Sequence, residues 1–334
     1  MLNQLLFLFV APQIWLQVLL TIVGIIVVLW GADRLTDGAV GLAERMGVPQ
    51  IVIGLTIVAM GTSMPEFFVS FMSAINGTPD LAVGNVVGSN IFNALLIVGV
   101  AAMVSPIAIL HDTVRKDIPF AIIASVVLMI LCNDSGINRL DALIMLMMFI
   151  FYIITTLRGA KQEKTEESSL DSSTQSDKDS KKKQVGVGKA LLLTVVGLAS
   201  LILGSNVFVD NVSAIAATLG MSDALIGLTI VAMGTSLPEL ATSVVAARRG
   251  NSGIAIGNVI GSNVFNILMI LGITGLIAPM QISGITFVDL SVMVLSMVLI
   301  WLVSFTRYRI ERWEGLVLAT AFASYLSYLI VQAV

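Results

Sequence analysis

The string GLTIVAMGTS occurs twice, at residues 54–63 and again at 227–236, with no letter changed. Each copy runs on, one residue later, into Pro-Glu: Pro65-Glu66 and Pro238-Glu239. The register then holds without a gap. At a constant offset of 173, 27 of the 46 positions from Gly54 to Gly99 match their partners. A second cluster of matches, Gly84-Asn85-Val86, Gly88-Ser89-Asn90 and Phe92-Asn93, is mirrored by Gly257-Asn258-Val259, Gly261-Ser262-Asn263 and Phe265-Asn266. Such a chain folds as two related halves, each holding one glutamate inside an apolar segment.

Composition sets the solvent. The chain of 334 residues is 57% hydrophobic and 12% charged, whereas soluble domains carry about 25% charged residues. Long apolar runs recur along it, and runs of about 18 or more read as membrane-crossing helices. No alternating pattern of a barrel is present, so the expectation is an all-α membrane protein. The net charge of −3 and the dispersed basic residues give no nucleic-acid face. A single cysteine, Cys132, excludes an internal disulfide. The first eleven residues lack a basic start and are expected to lead into the first helix, not to form a cleaved signal.

Ten spans are expected, at roughly 13–32, 48–75, 81–105, 118–133 and 140–157, then 187–217, 222–247, 253–278, 286–305 and 315–333. This divides the chain into a first five-helix repeat (1–160), a flexible linker (161–184) and a second five-helix repeat (185–334). The linker is rich in Ser, Lys, Glu and Asp and has no residues with which to build a core. Five spans per repeat is an odd number, so the second repeat enters the membrane from the opposite side. That is an inverted-topology plan.

Basic residues test the plan independently. Connections after odd-numbered spans hold 17 of the 18 Lys and Arg residues, and Arg139 alone lies on the other side. The positive-inside rule then places both termini outside and the linker in the cytoplasm, with a bacterial inner membrane as the expected location.

Both decapeptides end where a proline interrupts an apolar span near its middle. Proline removes an amide donor and clashes with the carbonyl four residues back, here Gly61 or Gly234. Freed carbonyls and the hydroxyls of Thr62, Ser63, Thr235 and Ser236 are expected to face the place where Glu66 and Glu239 project. Carboxylate, carbonyl and hydroxyl oxygens suit hard cations such as Ca²⁺ and Na⁺, and no His or Cys cluster suits a softer metal. Ser63-x-x-Glu66 and Ser236-x-x-Glu239 also fit a helix capping box. A cap contributes about 1 kcal/mol, less than the roughly 2.5–3.5 kcal/mol needed to hold a charge at the bilayer centre. Ser89 and Asn93, like Ser262 and Asn266, share a helix face at i, i+4. The glycines at 84, 88, 257 and 261 read as close helix packing, and Asn85, Asn90, Asn258 and Asn263 as interhelical glue or backbone caps.

The paired GTSxPE and GNVxGSNxFN motifs resemble the two repeats of the sodium/calcium exchanger family, over most of the chain outside the linker. The resemblance implies antiport of Ca²⁺ against Na⁺ by alternating access, with spans one and six sliding over a core of spans two, three, seven and eight. It implies a calcium site from the carboxylates of Glu66 and Glu239 and the backbone carbonyls of Thr62 and Thr235. Flanking sodium sites would add the carbonyls of Ala59 and Ala232 and the side chains of Thr62, Thr235, Ser63, Ser236, Ser89 and Ser262, with Asn93 and Asn266 lining the middle. Many relatives carry Asp where this chain has Asn266, so this pocket holds only two carboxylates. Ca²⁺ and Na⁺ are cargo, no cofactor is implied, and the expected partners are the lipid bilayer and these ions, not nucleic acid.

Three other classes compete. A proton-coupled Ca²⁺ antiporter would be driven by pH instead of Na⁺. A passive cation channel would dissipate a Ca²⁺ gradient with no counter-ion. An intramembrane protease would cleave peptide, but the sequence offers no nucleophile–base set.

Overall fold

The computed structural model describes residues 2–132, 136–170, 186–219, 232–282, 284–305 and 307–333. Within them seven helices are long and apolar enough to cross a bilayer, and eight if one bent pair counts as a single span. Helix α1 spans Leu2–Met46. The bent pair follows as α2 (Gln50–Thr62) and α3 (Met64–Ile75), then α4 (Pro79–Val104). Next come β1 (Ile107–Ala108), α5 (Ile118–Leu131), β2 (Gly136–Ile137) and α6 (Arg139–Leu170). The second half holds α7 (Val187–Thr218), α8 (Ala232–Thr235), α9 (Leu237–Arg248) and α10 (Ser252–Ile277). It closes with β3 (Met280–Gln281), α11 (Phe287–Ser304), β4 (Arg309–Ile310) and α12 (Arg312–Ala333).

Two expected boundaries move. The first span, expected to end near residue 32, continues as helix through Met46 because Leu35, Ala39, Leu42 and Ala43 keep one face buried. The fifth continues through Leu170, so the opening of the segment expected as flexible linker is helical. Glu, Lys and Gln there are good helix formers, and a helix already nucleated in the membrane extends cheaply. The rest of that segment, 171–185, lies outside the described residues, as do residues 220–231 with the first half of the second decapeptide.

Helices α4 and α10 form the centre: 78% of each apolar window is buried, against 17% for α1 and 28% for α7. Glycine brings backbones together there. A Cβ on Gly257 would sit 2.8 Å from the carbonyl oxygen of Ile51, so α10 and α2 touch main chain to main chain.

Helices α1 and α7 pack on each other outside this core, and they run antiparallel. Gly24 lies against Gly204, Gly31 against Gly197 and Gly38 against Ala190. Gly197 and Gly204 are themselves the offset-173 mates of Gly24 and Gly31. Each helix therefore uses the same two glycines to receive the other, as a two-fold axis across the pair requires.

The short strands obey the same relation. Ile107 of β1 pairs with Ile310 of β4, and Ile137 of β2 with Met280 of β3. Adding 173 to either residue of the first half gives the partner in the other ladder. Connections also meet by parity. Ala108 N–H donates to Ser252 Oγ at 3.2 Å, and Arg249 pairs with Asp33 and Asp37 near the end of α1, all at the ends of spans expected as odd-numbered. Arg139 reaches the carbonyl of Leu276 at 3.3 Å, and Gly284 N–H donates to Asp80 at 2.8 Å, all on the even side.

Candidate cation site

Pro65 leaves the carbonyl of Gly61 without its helical donor. Helix α2 ends at Thr62, α3 starts at Met64, and the axis bends by 47° between them. The second copy repeats the break, with α8 ending at Thr235 and α9 starting at Leu237. There the carbonyl freed by Pro238, that of Gly234, accepts from Ser205 Oγ of α7 at 2.6 Å. The equivalent residue of α1 is Ala32, which has no hydroxyl to offer.

The breaks put Glu66 and Glu239 in the first turns of α3 and α9, where the helix dipole favours an acid. Both are fully buried, at 0% exposure, and close enough for the two carboxylates to repel. The capping box that Ser63 and Ser236 also fit does not form. Ser63 Oγ donates instead to Glu239 Oε1 at 2.8 Å, and Ser236 Oγ to Glu66 Oε1 at 2.7 Å. Each serine serves the glutamate of the other repeat, so the two breaks form one cluster.

Thr62, Thr235, Ser89 and Ser262 join it. Thr62 and Ser262 flank the Glu239 carboxylate, and Thr235 flanks that of Glu66. Ser89 Oγ lies 3.2 Å from Ser236 Oγ. Asn93 and Asn266 each stand second in a π-helical turn, Phe92–Ile97 and Phe265–Ile270. Such turns often mark functional positions because they displace one residue from the helical register. The carbonyl of Ala59 already accepts from Ser63 N–H at 3.0 Å, and Ala232 opens α8.

Unpaired oxygens define the cluster's chemistry. Glu66 Oε2, Glu239 Oε2, Asn93 Oδ1 and Asn266 Oδ1 are buried without a hydrogen-bond partner among the described residues, and Ser262 Oγ makes no bond of good geometry. Leaving a buried polar atom unpaired costs about 1–3 kcal/mol. Buried acceptors of this kind suit a positive charge. Among the described residues no group of three His, Cys, Asp or Glu side chains is assembled, and the other oxygens beside the two glutamates belong to hydroxyls and amides.

Asn85 and Asn258 bond backbone carbonyls of a neighbouring helix as expected, and their partners Ser70 and Ser243 are the contributors that the sequence did not single out. Asn85 Nδ2 donates to the Glu66 carbonyl at 3.3 Å and to Ser70 Oγ at 3.0 Å; Asn258 does the same for Glu239 at 3.2 Å and Ser243 at 3.0 Å. Asn258 Oδ1 also accepts from Thr62 Oγ1 at 3.0 Å. Ser70 and Ser243 are identical at the offset of 173, four residues after each glutamate. That coincidence of identity and helical spacing is the signal that points to them.

The pattern described as "Sodium/calcium exchanger protein" matches residues 16–158 and again 189–331. The two matches stand apart by the same 173 residues as the decapeptides. This chain belongs to the sodium/calcium exchanger family. Among its relatives, inner membrane protein YrbG of Escherichia coli K12 is 36% identical, the alignment covering 86% of this chain and 88% of YrbG. The sodium/calcium exchanger MaX1 of Methanosarcina acetivorans is 33% identical over 94% of this chain and 98% of MaX1. A solved structure of the sodium-calcium exchanger NCX_Mj, soaked with Na⁺ and Ca²⁺, superposes with a TM-score of 0.80 at 30% identity, covering 93% of this chain and 98% of NCX_Mj. As a member of the exchanger family, the chain carries its two matched repeats on either side of residues 159–188, and the crossed serines and glutamates are a place where they meet.

Proposed function

We propose that this protein exchanges Ca²⁺ for Na⁺ across the membrane by alternating access and is not an enzyme. One observation carries the reading: of the four orphaned oxygens, two belong to the buried carboxylates of Glu66 and Glu239 and two to the amides of Asn93 and Asn266, so each repeat supplies the same pair. A hard divalent cation needs six to eight oxygens at short range. The carboxylates of Glu66 and Glu239 with the backbone carbonyls of Thr62 and Thr235 would supply a Ca²⁺ site. Sodium sites would use the carbonyls of Ala59 and Ala232 and the hydroxyls of Thr62, Thr235, Ser63, Ser236, Ser89 and Ser262. Asn93 and Asn266 would line the space between them.

The proposed topology is ten crossings in two inverted repeats. Its support is the antiparallel packing of α1 on its mate α7 and the meeting of odd connections with odd and even with even. The positive-inside count supports an orientation with both termini outside and the linker in the cytoplasm, and the likeness to an inner membrane protein supports a bacterial inner membrane. The α1–α7 pair, lightly buried beside a tightly packed core, is the element proposed to slide.

Uptake of ⁴⁵Ca²⁺ into liposomes tests the reading. An outward Na⁺ gradient is expected to drive uptake, and a pH gradient alone is not. Uptake driven by pH and indifferent to Na⁺ would establish proton coupling in its place, and a leak with no counter-ion would establish a channel.

A further inference from the structure

Asn90 and Asn263 are offset-173 mates, both buried, and they meet where α4 crosses α10. Asn90 Nδ2 donates to the backbone carbonyl of Asn263 at 3.4 Å, and Asn263 Nδ2 to that of Asn90 at 3.2 Å. Their side-chain oxygens then face away from this exchange and each accepts once more. Asn90 Oδ1 accepts from Asn266 Nδ2 at 3.3 Å, and Asn263 Oδ1 accepts from Asn93 Nδ2 at 3.1 Å.

A primary amide has two ends of opposite polarity, and nearly equal shapes let either end point into a cavity. Only the oxygen end attracts a cation. In Asn93 and Asn266 the nitrogen end is held by Asn263 and Asn90, which leaves each Oδ1 as the end without a partner. Were either amide reversed, its N–H hydrogens would point at the cation, and its oxygen would face the acceptor oxygen of Asn90 or Asn263.

We infer that Asn90 and Asn263 are positioning residues for ion binding: they fix which end of the Asn266 and Asn93 amides faces the cation. This rests on the reading of Asn93 and Asn266 as lining the ion site. The control crosses between repeats. Asn90 acts on Asn266 and Asn263 on Asn93, each across the boundary between halves and not along its own helix. Plain interhelical glue would hold the helices together without this pairing.

The pairing is measurable by double-mutant cycles on ⁴⁵Ca²⁺ equilibrium binding to the full-length protein in detergent. Asn90→Ala is expected to weaken Ca²⁺ binding about ten-fold, as outer partners of metal ligands commonly do. In an Asn266→Ala background the same change adds nothing, and in an Asn93→Ala background it acts in full. Asn263→Ala shows the reverse pattern. Equal effects of Asn90→Ala in both backgrounds, or none in the wild type, would overturn the assignment. Asn90→Asp serves where the alanine variant does not fold, since it keeps an acceptor for Asn266 and exchanges the amide donor for a second carboxyl oxygen. It is expected to bind Ca²⁺ within a few-fold of wild type, and a loss as large as that of Asn266→Ala would overturn the assignment. If Glu66→Gln, Asn93→Ala and Asn266→Ala all bind Ca²⁺ like the wild type, the ion-site reading itself fails, a result distinct from failure of the pairing.

Discussion

The hydroxyl of Ser63 donates to the carboxylate of Glu239, 176 positions further along the chain, at 2.8 Å. Ser236 returns the bond to Glu66 at 2.7 Å. Neither repeat completes its half of the site alone, because each serine sits beside one glutamate in sequence and serves the other in space.

From this follows an equality. Glu66→Gln and Glu239→Gln each leave a divalent ion facing one carboxylate, and one unit-charge pair at 4 Å is worth about 4 kcal/mol at an effective dielectric of 20. Both variants are expected to abolish Na⁺-driven ⁴⁵Ca²⁺ uptake while eluting from a sizing column as folded protein. Ser63→Ala and Ser236→Ala each remove one bond to a charged group, worth about 1.5–3 kcal/mol, and are expected to be milder and equal to each other. Normal uptake by either glutamine variant would sink the shared site.

Voltage reports the stoichiometry. If three Na⁺ leave for each Ca²⁺ entering, one net positive charge moves outward per cycle, worth about 2.3 kcal/mol per 100 mV. Uptake into Na⁺-loaded liposomes is then expected to speed up when the interior is made positive. Uptake indifferent to voltage excludes that ratio.

Orientation can be read with thiol reagents. In a Cys132→Ser background, single cysteines in the linker are expected to resist impermeant maleimides in intact cells. A cysteine added after Val334 is expected to react. Labelling of the linker in sealed cells would reverse the topology.

The glycine contacts between α1 and α7 are also testable. A Cβ on Gly31 would lie 2.9 Å from the carbonyl oxygen of Gly197, and overpacking of this kind costs roughly 1–3 kcal/mol. Gly31→Leu is expected to slow exchange by roughly ten-fold or more through that misfit, with Ca²⁺ binding in detergent retained because the site lies in the core. Loss of both together would place this interface inside the site's own support.

Arg249, just past α9, pairs with Asp33 and Asp37 of α1. The mates of these residues are Asn76, Asn206 and Asp210, a set without a cation. If α1 slides over the core during exchange, joining Asp37→Cys to Arg249→Cys with a short, reducible bifunctional reagent in the Cys132→Ser protein must stop transport until reduction. Continued exchange by the joined protein would show that this end of α1 does not move.

Much of the fold and part of the site are legible in the sequence alone. Duplication at one offset defines two halves, proline sets the breaks at Ser63 and Ser236, and composition requires the membrane. All three are local or statistical properties of the chain, so they need no knowledge of packing. Helical spacing likewise puts Ser89 with Asn93 on one face. Spacing within a helix, however, says which residues share a face and not which helix that face meets. Ser63 could cap its own helix or reach Glu239, and spacing alone does not say which glutamate it serves, because the two repeats are nearly the same. Only the packing of α2 and α3 against α8 and α9 chooses the second. The same holds for Asn90 and Asn263, whose roles emerge only where α4 and α10 cross, and for Gly24 and Gly31, which become contacts once α7 lies antiparallel beside α1. Long-range pairing is set by how whole helices fit together, and a symmetric sequence leaves that choice to the tertiary fold.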